Sequence, residues 1–176
     1  MAKFFKFALA PTVDSGTTDG SPSGSNDLIQ SGQNFLTTVS VGDYVHNTTD
    51  DAWHVVSAVN SDTQLNLESG TVATGKAYTI YSGNIANYNY QLVSAENVVI
   101  VEQASQSTTT IAYSAGSTSA DVITVTHGKL AASTSTDVRD NVQDALLALH
   151  GGKTRPDAYK LVEMPTDIIV TGIAVA

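Results

Sequence analysis

The order of apolar and polar positions along the chain predicts many short strands and one helix. Residues 3–9 alternate: Phe5, Phe7 and Leu9 fall on one face and Lys6 and Ala8 on the other, the period of a strand. Pro11 ends that run. Residues 11–27 are rich in Gly, Pro, Ser and Asp and hold no apolar period, which predicts a linker. Short apolar runs then recur at 28–30, 35–39, 43–47, 52–59, 63–67 and 77–81. Turn formers separate them, among them Gly42-Asp43, Asn47 to Asp51 and Asn60-Ser61-Asp62. Strands spaced by roughly 8–12 residues predict a small barrel or sandwich. Trp53 alternates with Val55 and Ser57, and this reading places it in the core of that module.

The pattern changes further along. Residues 83–95 read as transitional, with Tyr88 and Tyr90 alternating with Asn as candidate contact residues. Residues 96–103 are apolar on both faces at their centre, as a central strand is. Residues 107–114 and 120–128 continue as an antiparallel meander. Val138, Val142, Ala145, Leu146 and Leu149 repeat at helical spacing and predict a helix over 136–149. Asp137 and Asp140 suit its first turn; Thr134, Ser135 or Thr136 can cap it, and Gly151-Gly152 can end it. Residues 160–164 and 167–176 supply one or two more strands. The last is apolar almost throughout, so it is buried in the monomer or between subunits. Ile168, Ile169, Val170, Ile173 and Val175 are therefore candidate interface residues, with Tyr88 and Tyr90.

The fold class is α+β, mainly β: a small all-β barrel or sandwich module plus an antiparallel sheet with one helix. Residues 1–25 form an N-terminal strand and linker, 26–90 the all-β module, and 91–176 the α+β layer, which strand 3–9 completes. The module is then an insertion; tandem order, 1–90 followed by 91–176, is the alternative.

Composition narrows the function classes. There is no cysteine, which excludes disulfides, zinc–thiolate and iron–sulfur sites and a thiol nucleophile. Asp and Glu number 17 against 8 Lys and Arg, giving a net charge of -9 that argues against a nucleic-acid partner. No apolar run approaches the roughly 20 residues of a membrane helix. Residues 1–10 lack the apolar core and cleavage site of a signal peptide. Charged residues are only 14% of the chain, and acid–base chemistry draws on such groups, so an enzyme is not expected.

The individual candidates point the same way. His46 and His54 lie on neighbouring strands with Asp50 and Asp51 at the tip between them, short of the three or four convergent ligands of a zinc site. No Gly-x-Ser-x-Gly elbow is present. His127 stands at a strand end and His150 at a helix C-terminus, where an imidazole suits the dipole. Asp14, Asp19 and Asp27 lack the spacing of an EF-hand loop. No catalytic, metal or cofactor residue is assigned, and no cofactor is expected.

One stretch carries a recognisable pattern. An aromatic at Phe35 is followed by Gly42-Asp43-Tyr44-Val45, Asn47-Thr48-Thr49-Asp50, Val55-Val56, Val59, Ser61-Asp62-Thr63, Leu65 and Leu67, then Gly75, Tyr78 and Ile80. This resembles a module of virion structural proteins in tailed bacteriophages, especially marine and cyanobacterial ones. The later segments around 122–128 and 167–175 resemble such proteins more loosely, so the resemblance spans about two-thirds of the chain. It implies a non-enzymatic capsid decoration (cement) or minor head protein located in the virion. The implied partners are copies of itself, with a trimer favoured, and the major capsid protein or another virion protein, without nucleic acid or membrane. A neck, tail or fibre component is the first alternative, and a small carbohydrate-binding or hydrolytic domain the second.

Overall fold

A computed structural model describes residues 2–24, 26–114, 121–129, 131–132, 134–151 and 158–175. The protein is mainly β, with two sheets and one main helix. It divides into two compact units: Met1–Leu9 with Asn89–Ala176, and Ala10–Tyr88.

In the discontinuous unit, β1 (Phe4–Leu9) carries the alternation seen in the sequence, with Phe5 and Phe7 fully buried. The segment after Ala10–Tyr88 supplies more than a transition. Residues Asn89–Ser94 pair antiparallel with all of β1, from Leu9↔Asn89 to Phe4↔Ser94. The antiparallel meander follows as Val98–Gln103, Thr108–Tyr113 and Val122–His127. The main helix spans Asp137–Gly151 and buries Val138, Val142, Ala145 and Leu149 against the sheet, each worth about 1.5–3 kcal/mol for a Val or Leu side chain. Thr136 Oγ1 donates to the Asp140 carboxylate and the Thr136 carbonyl accepts from the Asp140 amide, which fixes the first turn. Short Tyr159–Leu161 and terminal Val170–Val175 complete the sheet.

Both of those last strands run parallel to β1, so the sheet is mixed, not purely antiparallel. Val98–Gln103 lies at the end of the strand order, not in the centre. Its double-sided apolar pattern leaves Val99 and Ile100 exposed. The expected turn at 115–119 and Gly152 lie outside the described residues.

The unit Ala10–Tyr88 contains strands Thr12–Thr17, Asp27–Ile29, Tyr44–Asn47, Ala52–Ser61, Gln64–Leu67 and Ala77–Tyr81. In chain order they are β2 to β7, and Asn89–Ser94, Val98–Gln103, Thr108–Tyr113, Val122–His127, Tyr159–Leu161 and Val170–Val175 become β8 to β13. The sheet order here is β2-β7-β4-β5-β6-β3. The ten-residue β5 pairs β4 through its first half and β6 through its second, with register shifts at Val56/Ala58 and Val59/Ser61. Such bulges sharpen the bend of a strand, letting one strand serve two neighbours.

Three expectations are corrected in this unit. Residues 12–17, expected to be linker, form β2, which is held to β7 by backbone pairing and so needs no apolar period. Residues 35–39, expected to be a strand, form a single helical turn, Phe35–Thr38 (α1). Phe35 and Val39 are both buried, and their i, i+4 spacing is helical; the Asn34 carbonyl accepts from the amides of Thr37 and Thr38. Trp53 is not in the core. Val45, Val56, Leu65, Tyr78 and Ile80 fill the core, and Trp53 stands on the opposite face of β5 from Val56.

Candidate interaction surfaces

The residues of the pattern between Phe35 and Ile80 hold turns. Gly42 has φ +92, open only to glycine without strain, and Gly83 passes so close that a Cβ there would clash with the Gly42 carbonyl oxygen. The buried Asp43 carboxylate joins these two loops, accepting from the Ser40 amide and the Gly83 amide, both at 2.8 Å. Buried Asn47 accepts from the amides of Thr49 and Asp50 through Oδ1 and donates to the Asp50 carboxylate through Nδ2. Lys76 reaches Asp50 at 2.8 Å; with Asn47, it holds that carboxyl below the usual range. Ser61 Oγ accepts from the Thr63 amide, and Asp62 Oδ1 from the Leu36 amide. Asp43, Asn47, Ser61 and Asp62 thus serve loop amides, while the Asp50 carboxylate is held by the Asn47 and Lys76 side chains.

The titratable candidates are dispersed. His46 pairs with Trp53 and His54 with Val45, so the two imidazoles point to opposite faces of the sheet. His46 Nε2 lies 3.1 Å from Asp51 and His54 Nδ1 2.7 Å from the Ser69 carbonyl. Asp14 serves the Ser15 amide and Thr38, Asp19 serves Ser31, and buried Asp27 serves Ser23. Among the described residues, no three His, Asp or Glu side chains gather as metal ligands. Among the described residues, no helix is long and apolar enough to cross a membrane.

His127 closes β11 at the strand end where the sequence places it, and it is fully buried there. Its Nδ1 faces the Gly128 carbonyl at 2.8 Å, and its Nε2 lies 3.1 Å from the Gln103 amide nitrogen and 3.2 Å from Thr109 Oγ1. That network assigns the proton to Nδ1. Burial lowers the pKa of this imidazole from the ordinary 6.5, and the bond to Gly128 opposes the shift only in part. His150, in the last helical turn, reaches the Ala95 carbonyl at 3.1 Å.

The seven candidate interface residues separate by exposure. Val170 and Ile169 are buried inside their own unit, Val170 within the hydrophobic cluster of Phe5, Phe7 and Val142. They are core, because β13 lies between β1 and β11. Ile173 packs partly against the same cluster, and Ile168 is half-buried. Val175 is 73% exposed and Tyr90 53% exposed. Tyr88 is half-buried, and burial pushes its phenol up to about 12.

Around Tyr90 lies a face the sequence reading did not assemble. The register sets Leu92 beside Lys6, Tyr90 beside Ala8, and Tyr159 and Leu161 beside Phe4 and Lys6. These side chains share the outer face of β8-β1-β12, opposite Phe5 and Phe7. Tyr90, Leu92, Tyr159 and Leu161 are exposed. The Lys6 ammonium sits among them, 3.9 Å from the Tyr90 ring centre and 5.1 Å from that of Tyr159. Lys6 on the polar side of its strand and the Tyr90–Leu92 alternation were visible in the sequence. The parallel pairing that adds Tyr159 was not.

The unit Ala10–Tyr88 has its own aromatic face. Trp53 stacks on His46 with ring centres 4.3 Å apart and planes within 7°, and Tyr81 lies 5.8 Å from Trp53 at 23°. The Trp53 indole nitrogen is buried without a hydrogen-bond partner among the described residues. Compared with known proteins, the chain shows no significant match to a family model, a curated protein or a solved structure.

Proposed function

We propose that this protein is a non-enzymatic structural component of a tailed-phage virion, a capsid decoration or minor head protein that works through contacts with copies of itself and with the capsid lattice. The observation that carries this reading is the outer face of β8-β1-β12. It sets four exposed large apolar side chains around one lysine on a rigid sheet. Contiguous exposed apolar surface of this kind marks protein–protein contact sites. The turn-forming pattern of residues 35–80, which resembles phage virion modules, supports the same context. Many copies each making modest contacts add up to a stable shell through avidity.

Copy number in purified particles tests it. Decoration requires on the order of hundreds of copies, whereas a neck or tail component is present in about six or twelve, following the particle's symmetry axes. Absence from the particle would overturn the reading.

The stacked His46, Trp53 and Tyr81 favour a second reading, a carbohydrate-binding module, since aromatic faces stack on sugar rings. Quenching or a blue shift of the Trp53 fluorescence across a glycan panel would support it, and an unchanged spectrum would remove it.

A further inference from the structure

The proposed function leaves open which surfaces of this chain meet. Lys6 is one of 8 basic residues in a chain with 17 acidic ones, yet among the described residues no carboxylate meets its ammonium, whose only neighbours of note are two tyrosine rings. At the other end of the same sheet the reverse arrangement appears. Ile100 and Glu102 point outward from β9, since Val101 between them is buried, and Val99 stands exposed beside them. Glu102 has no hydrogen-bond or ion-pair partner among the described residues, and it lies across from Thr110 of β10, an uncharged neighbour. One end of the sheet thus presents a cation ringed by Tyr90, Leu92, Tyr159 and Leu161. The other presents an anion flanked by Val99 and Ile100.

We propose that these two faces dock on each other between copies of this chain, the β8-β1-β12 face of one copy meeting the β9 edge of the next, with Lys6 paired to Glu102 inside an apolar rim. This inference rests on the self-association in the proposed function and names its surfaces. The occupant follows from charge complementarity: each face lacks the ion the other carries, and each ion has exposed apolar side chains beside it, so an ion left unpaired once the faces meet is costly. Because the faces differ, the contact is heterologous, and copies join head to tail; such contacts generate rings where the rotation closes.

The test is charge reversal in the full chain, read by sedimentation equilibrium, with circular dichroism and thermal melting confirming that each variant folds. Lys6→Glu and Glu102→Lys should each weaken self-association by about tenfold or more, since truncating or reversing one member of a close pair is costly. Combining them in one chain should restore the wild-type constant to within about threefold, the residual non-additivity of a swapped pair. Mixing the two single variants should restore association in trans, which also serves if the double variant folds poorly. Unaffected single variants, or a double variant and a mixture no better than either single, would overturn the pairing. A chain that decorates particles as a monomer would also overturn it while leaving the decoration reading intact. Charge-swap rescue in a chain absent from particles would uphold the pairing and overturn that reading.

Discussion

The two units solve the same folding problem with different means. In Ala10–Tyr88 the turns are the organising element. Asp43, Asn47, Ser61 and Asp62 each spend their side chain on backbone amides, and buried Asp27, Asp43 and Asn47 sit at the margin of an apolar core. In the unit of Met1–Leu9 and Asn89–Ala176, a helix lies on a mixed sheet, and the core is the Phe5, Phe7, Val142 and Val170 cluster. There Leu92, Val99, Ile100 and Leu161 stay outside the core on strands of the sheet, whereas the exposed Leu36, Val41 and Ile85 of Ala10–Tyr88 lie off its strands. The difference teaches where each kind of sequence signal comes from. A pattern of polar turn residues reports local architecture, while an excess of apolar positions in strands leaves side chains that their own core does not cover.

The sharpest way to break this comparison is to damage each unit separately and ask whether the other notices. Trp53, the only tryptophan, reports on Ala10–Tyr88 by fluorescence, and the far-ultraviolet signal of the helix Asp137–Gly151 reports on its partner. Phe7→Ala empties a fully buried site and should cost about 3–5 kcal/mol, seen as a large fall in the helical transition. If the fluorescence transition falls equally, the units unfold as one, and the separation described here does not extend to stability.

Asp43→Ala is the reciprocal experiment. It leaves the Ser40 and Gly83 amides without their acceptor, though water reaches exposed Ser40, so the cost should be about 2 kcal/mol. The loss should appear in the Trp53 transition. A neutral outcome would mean that the Gly42-Asp43 turn is set by its backbone alone and that the carboxylate is incidental.

A third, smaller effect follows from His127. The folded protein holds this imidazole neutral, with its pKa below 6.5. Below pH 6.5 the unfolded chain binds a proton that the native state does not, so stability is full above that pH and declines as pH falls toward the lower native pKa. His127→Gln should flatten that decline in the helical transition relative to wild type. An unchanged slope would show that His127 contributes nothing to the acid sensitivity of its unit.

How much of this was legible in the sequence depends on whether the signal was local. The strand at 77–81 is found where its alternation placed it, and the helix needed only a shift at its ends, because Val138, Val142, Ala145 and Leu149 repeat within one element. Where two periods fit the same letters, alternation misled: Phe35, Thr37 and Val39 read as a strand although Phe35 and Val39 also fit one helical face. Alternation with Val55 and Ser57 puts Trp53 on one face of its strand but does not say which face is buried, and in β5 that is the face of Val56, set by the pairing with β4. The β2 strand was invisible because backbone pairing with β7, not apolar side chains, defines it. The Lys6 face depends on partners 82 residues or more away along the chain, in β8 and β12, and no local period reports a register of that kind.

The smallest expected effect belongs to the ion pair of Lys76 and Asp50. The pair is short, at 2.8 Å, and Asp50 is held in its charged form by Lys76 and Asn47, yet both side chains are open to solvent. Exposed pairs lose most of their attraction to water and salt and must also hold two mobile side chains in place. Asn47 meanwhile keeps Asp50 and the amides at the hairpin tip in position without any help from the lysine. Lys76→Met should therefore leave the Trp53 transition within measurement error at physiological salt, with any difference appearing only at low ionic strength. A clear loss at physiological salt would show that this unit relies on surface charge as well as on turn chemistry, and the contrast between the two units would have to be redrawn around electrostatics.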